Sequence, residues 1–297
     1  MTTTITAHPS IWIELLGAET RFYDAGGIRT RSIEAGDGFP VIMLHGVGGH
    51  AETWTRNVIP LSQHFNARAI DYYGHGLTDY GDLPYSKEAY IKHLIAFMDA
   101  AGIERAHLIG ESLGGWIAAW TAIEHPNRVA KVVYCVGAHL KVPTDEETER
   151  KTEAGVDELR RLSLQFVQNP TRENVHARLK WLFVKPERDI SEELIDLRWA
   201  LYQKQLGKPS PAMAIGSDGA SQLTPENLAK IPVPTLFLWT DHNPSQQVAT
   251  AKKAMTYVRD AEWALIEDAG HWPQWEQTDA FNRIVIDYLS RYKEKTP

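Results

Sequence analysis

Leu108-Ile109-Gly110-Glu111-Ser112-Leu113-Gly114-Gly115 joins an apolar run, Ala106 to Ile109, to a helix-like pattern of Leu113, Trp116, Ile117 and Trp120. A serine in Gly-x-Ser-x-Gly between a buried strand and a helix occupies a sharp turn. Gly110 and Gly114 are then the positions where backbones approach too closely for a Cβ. Such a turn lifts the Ser112 hydroxyl clear of the sheet. It also aims the Leu113 N–H at any oxygen that develops charge beside it. An ordinary Gly/Ser turn of a nucleotide-binding unit is disfavoured, because neither Gly-x-Gly-x-x-Gly nor a phosphate-loop lysine accompanies the motif.

Outward from this turn, strands and helices alternate. Glu19 to Tyr23 and Ile28 to Ala35 flank the turn signal Asp24-Ala25-Gly26-Gly27 and predict a hairpin. Pro40 to Leu44 is a short continuous apolar run, as expected of a strand buried on both faces. It leads into His45-Gly46-Val47-Gly48-Gly49-His50. That loop lacks the Lys-Ser/Thr ending of a phosphate cradle. It suits the second half of an oxyanion hole, with the Val47 N–H joining that of Leu113. His45 reads as a hydrogen-bonded structural residue. Ala67 to Ile70 predicts the next strand, and Asp71-Tyr72-Tyr73-Gly74-His75-Gly76 a rigid turn beneath the site, with His75 part of that turn rather than a catalyst. Lys131 to Val136, Pro234 to Thr240 and Glu262 to Ile266 complete eight strands. Ser86 to Ala101, Gln246 to Val258 and Phe281 to Tyr292 are helical. The expected class is α/β: a mostly parallel eight-stranded sheet flanked by helices.

The alternation breaks at about Ala138 and resumes at Pro232. The intervening residues are rich in charge and read as amphipathic helices, whose apolar residues include Leu159, Phe166, Trp181, Phe183, Trp199, Tyr202 and Met213. The expected organisation is a core of residues 1–137 and 224–297 with a helical lid, 138–223, that covers Ser112 and excludes water. Residues 1 to about 18 are expected to form an arm, with Trp12 and Leu15/Leu16 packing onto the body.

The 297 residues, 43% hydrophobic and 23% charged, suit one sizeable α/β unit. A formal net charge of −7 argues against non-specific nucleic-acid binding. The single Cys135, inside an apolar run, excludes an intramolecular disulfide and reads as a buried core thiol. Ligand spacing for a metal is absent. Met1 to Ser10 lacks a basic region, the apolar run after it is too short for an export signal, and no membrane-length apolar segment follows. The expected protein is cytoplasmic and free of cofactor and metal, with a bulky apolar or aromatic small molecule as partner; a homo-oligomer stays open.

Ser112 needs a base, because its hydroxyl is a poor nucleophile at its own pKa. His271 is placed for this, in a Gly-His loop after the last strand and in the chain order serine, acid, histidine. The acid is harder to place. In this architecture it stands three residues beyond a small residue ending the penultimate strand, and counting from Thr240 reaches Asn243. Asp241, two residues earlier, is the rival. Asn243 could orient the imidazole through its amide oxygen, as in Cys-His-Asn enzymes.

At these residues the sequence resembles the α/β-hydrolase superfamily, and more narrowly the meta-cleavage product hydrolases of aromatic degradation. The resemblance rests on Gly270-His271-Trp272-Pro273-Gln274-Trp275-Glu276 with Phe281-Asn282-Arg283, and on Glu192-Glu193-Leu194 before Leu197-Arg198-Trp199. It implies that Arg198 contacts the carboxylate of a dienoate and that Trp272 contacts substrate. A lid ion pair of Arg198 with Glu192 or Glu193 is the alternative. Gly46 and Glu111 are counted with the substrate-contacting residues. Two departures stand out: Glu111 where the family usually carries asparagine, and Asn243 where it usually carries aspartate. The resemblance implies hydrolysis of a carbon–carbon bond in a 2-hydroxy-6-oxo-hexa-2,4-dienoate. The products would be a carboxylic acid and a 2-hydroxypentadienoate. Alternatives are a carboxylesterase or lactonase on a bulky apolar ester, and a non-catalytic binding protein. A haloalkane dehalogenase or epoxide hydrolase is disfavoured, since both use aspartate where Ser112 stands.

Overall fold

The computed structural model describes residues 10–80, 83–204 and 221–292. Met213 and the first nine residues lie outside them. Eight strands form one sheet: β1 (Glu19–Asp24), β2 (Arg29–Ala35), β3 (Pro40–Leu44), β4 (Asn66–Ile70), β5 (Ala106–Glu111), β6 (Val129–Cys135), β7 (Thr235–Thr240) and β8 (Ala261–Ile266). Their spatial order is β1-β2-β4-β3-β5-β6-β7-β8. β1 pairs antiparallel with β2 and β2 with β4, and every later pairing is parallel. β3 and β5 are neighbours although β4 intervenes in sequence. The chain winds outward in one direction after β3 and in the other after β5, which leaves a crevice at their carboxyl ends.

Patterning explains the layering. β3, β5, β6 and β7 are almost wholly buried, because helices cover both faces of a parallel sheet. Helices α1 (Ile11–Glu14) and α2 (Thr55–Ser62) precede β1 and β4, and the helix α4 (Leu113–Glu124) leaves β5 and is buried over most of its length. α3 (Lys87–Ala100) starts where Ser86 accepts the Ala89 N–H, an ordinary N-cap. Between β6 and β7 the described residues carry helices α5 (Glu146–Gln168), α6 (Arg172–Leu182), α7 (Pro186–Asp189) and α8 (Glu192–Lys204). Asp145 and Thr171 cap α5 and α6.

Two apolar clusters result. The larger fills the space around the sheet, and the smaller joins Phe166, Leu179, Leu182, Leu194 and Ile195 to Trp272 and Trp275 beyond β8. The expected packing of the amino-terminal arm needs correction. In the short helix Ile11–Glu14 and the residues after it, Ile11 and Leu15 pack, whereas Trp12 and Leu16 face outward. One turn of helix presents a single narrow face, and the chain turns Ile11 inward where Glu193 accepts its N–H. Among the described residues no helix is long and apolar enough to cross a membrane.

Candidate active site

Ser112 lies at the carboxyl end of β5 with φ 53° and ψ −114°, a left-handed region that non-glycine residues rarely enter. Close packing enforces it. A Cβ on Gly110 would lie 2.2 Å from the Gly114 carbonyl carbon, and one on Gly114 2.1 Å from the Leu44 carbonyl oxygen. The Ser112 N–H donates to the Cys135 carbonyl at 3.0 Å, and the Ser112 carbonyl accepts the N–H of Ala138 at 3.0 Å. The strained residue is thereby tied through its N–H to the end of β6 and through its carbonyl to the segment just after it.

The loop after β3 is held from below. Arg31 donates to Asp71 at 2.6 Å and to Glu52 at 2.6 and 2.7 Å. The Asp71 carboxylate also accepts the N–H groups of Ala51 and Leu77, at 2.6 and 2.8 Å. A Cβ on Gly76 would meet Asp71 Oδ2 at 2.1 Å, so the turn after β4 requires glycine there. The His45 ring bonds the Gly46 carbonyl at 2.7 Å and accepts the Tyr72 N–H at 3.3 Å. His75 Nε2 accepts the Gly48 N–H at 3.3 Å. Burial pushes the His75 imidazole down to about 4 and that of His45 well below its ordinary value, so both accept as neutral rings. Among the described residues no hydrogen bond engages the N–H of Val47 or Leu113. Val47 and Ser112 line one cavity together with Gly46, Glu111, Arg178, Arg198, His271 and Trp272.

His271 is placed by the loop after β8. Its N–H donates to the Leu182 carbonyl of α6 at 2.7 Å, and Thr240 Oγ1 donates to the Gly270 carbonyl at 2.6 Å. Glu276 accepts the N–H groups of Gly270 and Trp272 through one oxygen, at 2.8 and 3.2 Å, and that of Val184 through the other, at 2.8 Å. Glu276 therefore ties the histidine loop to the helical insertion. Glu276→Ala would leave three N–H groups without an acceptor, at about 1–3 kcal/mol for each that stays buried. We expect a melting temperature several degrees lower and at least a tenfold fall in Ser112 reactivity toward a fluorophosphonate. Unchanged labelling would mean that the loop holds its shape without this carboxyl.

Asn243 Oδ1 lies 2.8 Å from His271 Nδ1, and the Asn243 amide NH₂ donates to the Gln246 carbonyl at 2.9 Å. Asp241 does not take the acid position. Its carboxylate turns to the neighbouring loop and accepts the N–H groups of Asp268 at 3.0 Å and Ala269 at 3.3 Å. The reason is local: position 241 directly follows β7, beside the loop after β8, while two more residues are needed to reach the imidazole.

Arg198 is buried. Its Nη2 donates to the Gly48 carbonyl at 2.6 Å and its guanidinium carbon lies 5.1 Å from the Trp272 ring centroid. The alternative pairing within the helical insertion does not form. Glu192 pairs with Arg172, and Glu193 accepts Ser10 Oγ at 2.7 Å. Arg198 Nη1 is buried without a hydrogen-bond partner. A second buried arginine, Arg178, donates to the Val47 carbonyl at 2.7 Å and lines the same cavity. Sequence reasoning missed it, although a signal existed. Val175, Leu179 and Leu182 form the buried stripe of α6, and Arg178 falls on that stripe.

A serine at positive φ after β5, a histidine after β8 and helices inserted after β6 define an α/β hydrolase, and the α/β hydrolase family model matches residues 41–284. The chain belongs to that family and, within it, to the meta-cleavage product hydrolases. It is 30% identical to 2-hydroxy-6-oxo-6-(2'-aminophenyl)hexa-2,4-dienoic acid hydrolase of Metapseudomonas resinovorans, across 93% of this chain and 92% of that one. It is likewise 30% identical to 2-hydroxy-6-oxo-6-phenylhexa-2,4-dienoate hydrolase of Comamonas testosteroni, across 86% and 89%. Among solved structures, a serine hydrolase involved in carbazole degradation superposes with TM-score 0.76 at 25% identity, covering 93% of this chain and all of that one. The meta-cleavage product hydrolase of Pseudomonas fluorescens does so with TM-score 0.74 at 26% identity, covering 93% and 98%.

Proposed function

We propose that this hydrolase cleaves the carbon–carbon bond beside the distal carbonyl of a 2-hydroxy-6-oxo-hexa-2,4-dienoate, with Ser112 as nucleophile and His271 as base. The observation that carries this reading is Arg198. A buried guanidinium with one nitrogen unpartnered, in the cavity of Ser112 and His271, calls for an anionic oxygen on the substrate. The relatives named above act on dienoates that carry such a carboxylate.

In this reading the carboxylate binds Arg198, and the dienolate lies along Trp272 toward Ser112. His271 moves a proton to the carbon next to the distal carbonyl, giving the keto form. Ser112, or a water activated by His271, then attacks that carbonyl. The N–H groups of Val47 and Leu113 receive the developing oxyanion, and Gly46 and Glu111 line the same wall. Collapse breaks the carbon–carbon bond, with the electron pair leaving on the dienolate. The segment 138–223 serves as lid: Leu159, Leu182 and Arg198 reach the cavity from three of its helices and exclude water.

Stopped-flow decay of a synthetic 2-hydroxy-6-oxo-6-aryl-hexadienoate, beside a p-nitrophenyl ester, tests this. We expect fast loss of the dienolate absorbance, and at least ~10³-fold slower turnover in Ser112→Ala. Arg198→Ala should raise KM by ~30-fold or more, the loss of a charge-assisted pair. Ester cleavage without dienolate loss would make the protein an esterase, and silence on both substrates a binding protein.

A further inference from the structure

Glu111 and Asn243 meet on one imidazole, that of His271. The Asn243 amide is oriented by its NH₂ bond to Gln246, so its oxygen faces His271 Nδ1. An amide oxygen only accepts, so Nδ1 carries a hydrogen. On the other side of the ring, Nε2 lies 3.2 Å from Glu111 Oε1. The second oxygen of Glu111 accepts the Gly46 N–H at 2.8 Å, while Oε1 is buried without a hydrogen-bond partner of its own. A bare Nε2 against a bare carboxylate oxygen would set two lone pairs against each other in a buried site. One proton held by the pair, on Glu111 or on the ring, removes that repulsion.

We propose that Glu111 performs the charge-balancing task of the acid that position 243 lacks, sharing one proton with His271 through Nε2 and pairing the imidazolium during turnover. An asparagine at 243 orients the ring but brings no charge to it. The only carboxylate beside the imidazole among the described residues stands on the opposite edge.

The surroundings say where the proton rests. Burial raises the Glu111 carboxyl to about 8, against the Gly46 N–H and the charges of Arg178 on α6 and Arg198 on α8, which favour ionisation. Tyr72 after β4 and Cys135 at the end of β6 also face Glu111, and both are neutral, raised by burial first and by Glu111 second. Burial, with Arg178 adding to it, lowers His271 to about 3. The resting pair is thus a neutral carboxylic acid beside a neutral ring.

That arrangement suits the carbon–carbon reaction, on which this part of the proposal rests. The substrate enters as a dienolate. Glu111 passes its proton through Nε2 to the carbon next to the distal carbonyl, and the electron pair of the dienolate forms the new C–H bond. Glu111 is then a carboxylate and Nε2 is free. The ring can now take the Ser112 proton as Oγ attacks, with Glu111 as counter-ion, and gives it to the departing dienolate as the carbon–carbon bond breaks, leaving Nε2 free to activate water. Hydrolysis of the acyl group forms a carboxylic acid, whose proton restores Glu111.

Two readouts on the full chain separate this inference from the substrate reading. Fluorophosphonate labelling of Ser112 reports activation by His271 and needs no dienoate, whereas dienolate decay reports the carbon–carbon reaction. In the wild type the labelling rate should rise with pH as the pair loses its shared proton. Glu111→Gln keeps the bond to Gly46 through its amide oxygen but cannot ionise. It should flatten the rise and lower the rate at pH 9 by at least ~100-fold. Adding Asn243→Asp returns a carboxylate to the Nδ1 side and should recover at least ~tenfold of that loss. An unchanged rate and profile in Glu111→Gln, or a double variant no faster than it, would overturn the proposal. Labelling that follows these expectations without dienolate decay leaves Glu111 as charge partner and removes the substrate reading; dienolate turnover indifferent to Glu111→Gln does the reverse. Should the variants fail to fold, ¹⁵N NMR of wild-type His271 decides. A ring that titrates once, near the ordinary histidine value, contradicts a proton shared with Glu111.

Discussion

Between pH 7 and pH 5 the folded protein is expected to lose at least about 4 kcal/mol of stability, a large share of the whole stability of a typical domain. Six imidazoles are buried and depressed. His75 lies at about 4, His93, His107 and His271 at about 3, and His45 and His50 below the ordinary value, burial being the first cause for each. Unfolded, each titrates near 6.5. The stability they contribute is fully present above that value and is lost as pH falls, because only the unfolded chain takes up protons. His75, His93, His107 and His271 each contribute about 2 kcal/mol of loss over this window, and His45 and His50 add to it in the same direction. Two carboxyls act in the opposite direction. Burial raises Glu111 to about 8 and Glu276 to about 7, so the folded state holds their protons first and gains about 2 kcal/mol from each as pH falls. Six outweigh two. Urea midpoints at pH 7, 6 and 5 should fall steeply below pH 6.5, and a flat series would show that the histidines protonate in place.

Gly114→Ala is expected to abolish the folded site. The added methyl would stand 2.1 Å from the Leu44 carbonyl oxygen and 2.6 Å from its carbon. Neither neighbour can yield. Leu44 is paired in the sheet between β4 and β5, and residue 114 lies in the first turn of the helix that leaves Ser112. Relief requires sliding α4 off the sheet and so relaxing the strained Ser112 backbone, at a penalty above about 3 kcal/mol. Soluble yield, melting temperature and fluorophosphonate labelling should fall together. A stable variant that labels at the wild-type rate would mean that the close approach of α4 to β3 is not needed. An alanine at Gly27, which has open space around its Cβ position although φ is 89°, provides a milder comparison.

Much of this was legible from local pattern. Gly110, Ser112 and Gly114 marked the strand-to-helix turn, and the continuous apolar runs at β3, β5, β6 and β7 marked strands covered on both faces. Each signal is carried by residues adjacent in the chain, because a buried strand or a capped helix declares itself within one window. The break in alternation after β6 announced the helical insertion in the same way.

The electrostatics of the site were not legible in that sense. Residue types and chain order determined an α/β hydrolase with Ser112 and His271 at the ends of β5 and β8. Tertiary structure decided which atoms meet. Asp241 and Asn243 are two residues apart, and only the placement of the β8 loop against β7 sends one to backbone N–H groups and the other to the imidazole. Glu111 precedes the serine in every reading of the sequence, but His271 comes to it from 160 positions further on, across the sheet. Arg178 and Arg198 are ordinary helix residues until α6 and α8 close over the Gly46–Gly49 loop and remove them from water. Distance along the chain fixes the elements. Burial and the few ångströms between groups remote in sequence fix their charges, and a linear pattern contains neither.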